Sequence, residues 1–179
     1  MPAGTDPAVR RHRKGQNYRV SDPAELTEDA AELAAMIARR LRRGEHTVSV
    51  AESLTSGSLA CHLGAAEEAS EWFVGGVTAY ASHVKFEVLG VHPGPVITAR
   101  CARQMARGVA RLTRSDLGVG ITGVGGPDPV EGRPPGTVFI AVSSAEGEKV
   151  AAHQFDGDAS EVVWEATVAA FSLLLSVVS

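Results

Sequence analysis

The chain has 179 residues, 44% of them hydrophobic and 21% charged, with a formal net charge of −4, which fits one globular domain with a single sizeable core. No apolar run reaches the ~20 residues that a membrane-spanning helix needs. Aromatic residues make up only 5% and the positive charge gathers in the first 43 residues, a pattern that argues against a nucleic-acid-binding face.

Residues 1–22 mix Pro, Gly, Arg and Asp without periodicity and read as a disordered basic leader ahead of one domain spanning 23–179. The leader has no apolar stretch of the kind a signal peptide or anchor requires, so the expected compartment is the cytoplasm. A helix is expected from Thr27, with Glu28, Asp29 and Glu32 in its first turn, Leu33, Met36, Ile37 and Leu41 on one face, and Arg42-Arg43-Gly44 at its end. Acid at the start, base at the end and a glycine stop all agree with the helix dipole.

The next stretch, Val48-Ser49-Val50-Ala51-Glu52-Ser53-Leu54-Thr55-Ser56-Gly57, runs from a β-branched strand into a polar turn. Gly57 permits a tight bend into a helix at Ser58 to Leu63. A helix start leaves N–H groups unpaired and attracts an anion, and the same turn can raise Ser53 as a nucleophile beside backbone donors. Ser and Thr are equally common as plain helix caps, so the local pattern leaves both roles open.

Trp72 to Tyr80 reads as strand two, with Gly75-Gly76 allowing a bulge or close backbone approach. Ser82 is expected to cap a short helix carrying Val84, Lys85, Val88 and Leu89, stopped by Gly90. Thr98 is expected to cap a longer helix to about Leu112, with Cys101, Met105, Val109 and Leu112 inward and Arg100, Arg103, Arg107, Arg111 and Arg114 as a solvated face. Leu117 to Ile121 reads as strand three, opening into Thr122-Gly123-Val124-Gly125-Gly126-Pro127, the kind of glycine loop that approaches a ligand closely. Strands four and five, Thr137 to Val142 and Lys149 to Phe155, flank a turn at Gly147, and a broad apolar helix runs from about Ala159 to Val178. Cys61 and Cys101 have no partner Cys or His at ligand spacing, so neither a zinc site nor a disulfide framework is expected.

Helices between strands, then a hairpin and a closing helix, predict an α/β fold with helices on both sides of a mixed sheet. Right-handed crossovers would bring the turns after strands one and three to one edge, with Ser53 and Thr122 facing one crevice.

The succession Ala51-Glu52-Ser53-Leu54-Thr55-Ser56-Gly57, Gly75-Gly76-Val77-Thr78-Ala79-Tyr80 with Lys85, Ile121-Thr122-Gly123-Val124-Gly125-Gly126-Pro127, Pro135-Gly136-Thr137-Val138 and Gly157-Asp158 resembles the CinA C-terminal domain, the nicotinamide-nucleotide amidohydrolase family. The resemblance runs from about Leu33 to the C-terminus. It implies a three-layer α/β/α sandwich with a five-stranded mixed, mostly parallel sheet, and a homodimer. It also implies hydrolysis of nicotinamide mononucleotide to nicotinate mononucleotide and ammonia, a step of pyridine nucleotide salvage, with no cofactor and no metal.

Carried residue by residue, the resemblance makes Ser53 the nucleophile. Lys85, one of three lysines in the chain, becomes the base, since partial desolvation lets an amine accept a proton. Tyr80 would relay that proton or protonate the leaving ammonia. Substrate binding falls to Thr55, Ser56, Gly57, Gly76, Thr122 and Gly123. His83 is a rival base that the family pattern does not support.

Departures from the pattern are Leu54 and Ser56 in the first motif, Ser82 where Asn is usual, and the start of the final helix. There the family commonly carries two arginines, and this chain has Ala159 and Val163. Arg133, before strand four, is the candidate to hold a phosphate in their place, because guanidinium pairs are strong anion contacts. A different amide substrate, or a nucleotide-binding regulatory domain without turnover, are the alternatives.

Overall fold

The computed structural model describes residues 23–178, with side chains from Asp29 onward. The first helix, α1 (Pro23–Gly44), begins four residues before the expected start; proline is tolerated in a first helical turn because that turn has no N–H partners to lose. The expected leader, residues 1–22, lies outside the described residues. β1 (Val48–Glu52) follows, then α2 (Ser58–Gly64), a single turn α3 (Ala69–Trp72), β2 (Phe73–Thr78) and α4 (Ser82–Glu87). The chain continues through α5 (Ala99–Thr113), β3 (Leu117–Gly123), the hairpin of β4 (Thr137–Ser144) and β5 (Gly147–Gln154), and closes with α6 (Ala159–Leu175).

The five strands form one sheet in the order β2-β1-β3-β4-β5. β1 pairs parallel with β2 and with β3, whereas β3 with β4 and β4 with β5 are antiparallel. The sheet is therefore mixed as expected, but its pairings divide evenly instead of being mostly parallel. The parallel half needs helical crossovers, and the Gly147 hairpin, with φ of 133°, supplies the antiparallel half.

Alternation along the strands sends Val48, Val50, Val119, Ile121, Ile140 and Val142 to one face, where they pack with α1, α2 and α6. Ala51, with Cys101, Met105 and Val109 of α5, builds the core of the other face. Helix α5 sits unusually close to β3. A Cβ on Gly118 would lie 2.1 Å from the Ala106 carbonyl oxygen, and one on Gly120 would lie 2.3 Å from that of Ala102. Thr98 caps α5 by accepting the Cys101 N–H at 3.1 Å, as its position predicts, but Leu112 is exposed and does not join the apolar face.

Asp158 and Glu161 form a reciprocal capping box at the start of α6. The spacing of this pair was present in the sequence and is a known start signal.

At the sheet edge, β2 carries a register shift beside Gly75, whose φ is 128°. Gly76 is pressed against Val50, where an added Cβ would meet Val50 Cγ2 at 2.6 Å and its carbonyl oxygen at 2.7 Å. Gly75-Gly76 thus provides both the bulge and the close approach. Gly76, expected at the substrate, is accounted for by packing.

Candidate active site

Ser53 follows the last residue of β1, and the chain then turns sharply through two residues in the left-handed region, Ser56 at φ 52° and Gly57 at φ 107°. The turn closes with Ser56 N–H donating to the Ser53 carbonyl at 3.1 Å and Ser58 N–H to the Thr55 carbonyl at 3.0 Å. This is the strand, turn and helix that the motif predicts. Ser53 is only 7% exposed.

β2 runs parallel to β1, so the residues after both strands emerge side by side at the same sheet edge. Ala79 N–H donates to the Glu52 carbonyl at 2.7 Å, and α4 then folds back over the crevice. Lys85 is the fourth residue of that six-residue helix and not at its start, and Ala81, not Ser82, occupies the cap position. The Lys85 side chain is 1% exposed. Its Nζ lies 3.0 Å from Ser53 Oγ, 2.6 Å from the Ala79 carbonyl oxygen and 3.1 Å from that of Tyr80.

Burial pulls the Lys85 amine below its ordinary value, while electrostatic coupling to Cys101 and Glu131 opposes the shift only weakly. The desolvation effect dominates, as expected for an ammonium taken out of water. Cys101 is the reciprocal case, with its thiol pushed up to about 11 by burial. A thiol held protonated is a packing group and a poor nucleophile.

Tyr80 contributes its carbonyl to this cluster, whereas its side chain is 73% exposed. Nothing in the geometry connects its hydroxyl to Lys85 or Ser53, so the proton-relay role expected of it is not supported by this arrangement.

The helix start was expected to receive a substrate anion. Instead the chain's own Glu52 fills it. The Glu52 carboxylate accepts from Thr55 Oγ1 at 2.7 Å and from the N–H groups of Gly57, Leu59 and Ala60 at 3.0, 3.1 and 2.9 Å. Thr55 and Gly57, two expected substrate contacts, are therefore committed to Glu52. Ser56 remains exposed at the turn.

Thr122 lies near the end of β3, the strand paired with β1, but it is fully buried and its hydroxyl donates to the Val96 carbonyl at 2.9 Å. It braces the connector before α5. Glu131 grips the same connector by accepting from Val96 N–H at 2.8 Å and Ile97 N–H at 2.9 Å. Gly123 is explained by packing, since a Cβ there would lie 2.5 Å from the Thr137 carbonyl oxygen. The Arg133 guanidinium lies over the Phe139 ring, 5.9 Å from its centroid. Phe139 is the cross-strand partner of Thr122, and Arg133 itself is exposed in the loop before β4.

No cluster of His, Cys, Asp and Glu fit to hold a metal occurs among the described residues, and none of their helices is long and apolar enough to cross a membrane. Sequence reasoning missed Glu52 and Glu131. The signal for Glu52 was present, since an acid at the end of an apolar strand and just before a helix start is placed to answer that helix's free N–H groups.

The sequence profile described as the CinA C-terminal domain matches residues 30–178. The chain belongs to the CinA C-terminal domain family. A Bacillus velezensis protein named as competence-damage inducible is 39% identical over 133 residues, covering 72% of this chain and 32% of that protein. A Geobacillus protein of the same name is 43% identical over 116 residues, or 62% of this chain and 28% of that one. The CinA domain described here thus spans about a third of the length of these relatives.

Solved CinA superfamily structures agree in fold. One from Enterobacter cloacae has a TM-score of 0.81 at 27% identity, covering 84% of this chain and 92% of that one. One from Escherichia coli has a TM-score of 0.81 at 29% identity, covering 84% and 91%.

Proposed function

We propose that this CinA domain is a serine amidohydrolase that converts nicotinamide mononucleotide to nicotinate mononucleotide and ammonia, its nucleophile activated by a lysine. The observation that carries the reading is the buried 3.0 Å contact between Lys85 Nζ and Ser53 Oγ. A neutral amine has two hydrogens and one lone pair. As an ammonium, Nζ donates to Ser53 Oγ and to the carbonyls of Ala79 and Tyr80; in the neutral amine those two carbonyls hold the hydrogens and the lone pair is left for the Ser53 hydroxyl. Desolvation favours that neutral form, and a general base within hydrogen-bond reach is the geometric requirement for an active serine.

In this mechanism Lys85 takes the Ser53 proton as Oγ bonds to the carboxamide carbon. Backbone N–H groups of the turn after Ser53 are the donors this reading assigns to the oxyanion. Lys85 returns the proton to the leaving nitrogen, ammonia departs, and an acyl-serine remains. Water then attacks the acyl carbon with Lys85 again as base, releasing the carboxylate and restoring Ser53.

A second reading, an amidase for an uncharged amide, is favoured by the commitment of the α2 N–H groups to Glu52. Ammonia release from nicotinamide mononucleotide and from a panel of neutral amides, with Ser53→Ala and Lys85→Ala beside the wild type, separates the two. Turnover of the nucleotide abolished in both variants supports the first. A ligand-induced rise in melting temperature with no ammonia would replace both with a binding role.

A further inference from the structure

Glu52 immediately precedes the proposed nucleophile and has no part in the proton transfers above. Its side chain is 1% exposed, and it accepts one hydroxyl and three backbone N–H donors, all from residues 55 to 60. Three of these bonds converge on Oε2 and one on Oε1. Successive strand residues point to opposite faces, so Glu52 holds the turn from beneath α2 while Ser53 is presented to Lys85 on the other side.

The main chain of Glu52 reaches the base as well. Its carbonyl accepts the Ala79 N–H at 2.7 Å, and the Ala79 carbonyl accepts from Lys85 Nζ at 2.6 Å. One residue therefore ties the serine's turn to the strand end and, through Ala79, to the lysine.

We infer that Glu52 is a positioning residue for the Ser53–Lys85 pair, an internal anion that locks the nucleophile's turn and keeps substrate anions away from the α2 start. The inference rests on the reading of Ser53 as an activated nucleophile. Without the carboxylate, three N–H groups and the Thr55 hydroxyl lose their acceptor, and the turn is free to move relative to Lys85. Positioning errors of about 1 Å are enough to cost roughly 100-fold in rate.

The test is covalent labelling of Ser53 by a small alkyl fluorophosphonate, followed by intact-protein mass. Here an Oγ–P bond forms, the P–F bond breaks, fluoride leaves and Lys85 takes the serine proton. This readout does not depend on the amide substrate. In variants shown to be folded by their melting transitions, Glu52→Ala should label at least tenfold more slowly than wild type. Glu52→Gln, whose amide oxygen can still accept, should recover part of the loss.

Thr55→Val removes a single donor to the carboxylate and should slow labelling severalfold with the fold intact, so it decides the matter if Glu52→Ala does not fold. Labelling rates equal to wild type in folded variants, with only the melting temperature lowered, would overturn the inference. So would a wild-type Ser53 that does not label at all. Failure of the substrate reading is seen separately, as a wild type that labels at Ser53 but releases no ammonia.

Discussion

Lys85 Nζ stands 3.0 Å from Ser53 Oγ across thirty-two residues of chain. Parallel pairing of Glu52 with Thr78 brings the two strand ends together, and α4 then returns the lysine over the serine. The pair is thus a product of strand register.

Substitution at Lys85 separates base chemistry from charge. Lys85→Met nearly preserves volume and removes the base, and Lys85→Arg preserves charge in a group that does not release its proton at working pH. Both should lower kcat by about 10²–10⁴-fold, the usual span of general base catalysis. Steady-state ammonia release from folded variants is the check, and an active Arg variant would mean that the lysine acts only as a cation.

In the proposed mechanism the rate rises with pH, because there the neutral amine is the working form. Its ascending limb should lie below the ordinary lysine value of 10.5, since burial lowers the Lys85 pKa. For stability the sign follows from proton counting. Between the lowered folded value and 10.5 the unfolded chain binds more protons, so the contribution of this group to stability grows as pH rises through that window. Cys101 acts oppositely, because its folded thiol is raised from 9.0 to about 11 and stability is lost across that range. Urea midpoints should therefore climb more steeply for wild type than for Lys85→Met as pH rises toward 10.5.

The two cysteines should differ sharply in reactivity. Cys61 is exposed, whereas Cys101 is buried with its thiol held protonated. Iodoacetamide at pH 8 is expected to add once to the folded protein, at Cys61, and a second time only after denaturation. Peptide mass spectrometry reads the site, and rapid native modification of Cys101 would contradict the packing of α5.

Gly120→Ala should destabilise the fold through contact of its Cβ with the α5 backbone, 2.3 Å from the Ala102 carbonyl oxygen and 2.6 Å from the Ala106 nitrogen. Overpacking of this kind costs about 1–3 kcal/mol. A urea midpoint unchanged from wild type would show that α5 can move away at no cost.

Arg133→Ala tests where a substrate phosphate would be held. If its guanidinium replaces the arginines absent at Ala159 and Val163, KM for the nucleotide should rise about tenfold or more, the value of one hydrogen bond to a charged group. An unchanged KM would remove Arg133 from the site.

Local pattern was enough for most elements. The cap at Thr98, the Gly44 stop and the β-branched run at Val48 to Val50 state helix ends and a strand within a few residues of chain, because those signals are local. Ser53 and Lys85 could be named as candidates from the motifs alone. Partial desolvation of the lysine was expected, but the 3.0 Å contact and the near-complete burial of the pair came only with the parallel register of β1 and β2 and with the return of α4, which are contacts between segments far apart in sequence. The same holds for Glu52, Thr122 and Tyr80. Sequence reading placed Thr122 and Tyr80 at the substrate, but in the folded chain Thr122 braces Val96, the Tyr80 ring faces outward, and Glu52 takes the helix donors intended for a ligand. A polar side chain's partner is chosen by whatever the fold brings within about 3 Å, and local sequence carries no record of that choice.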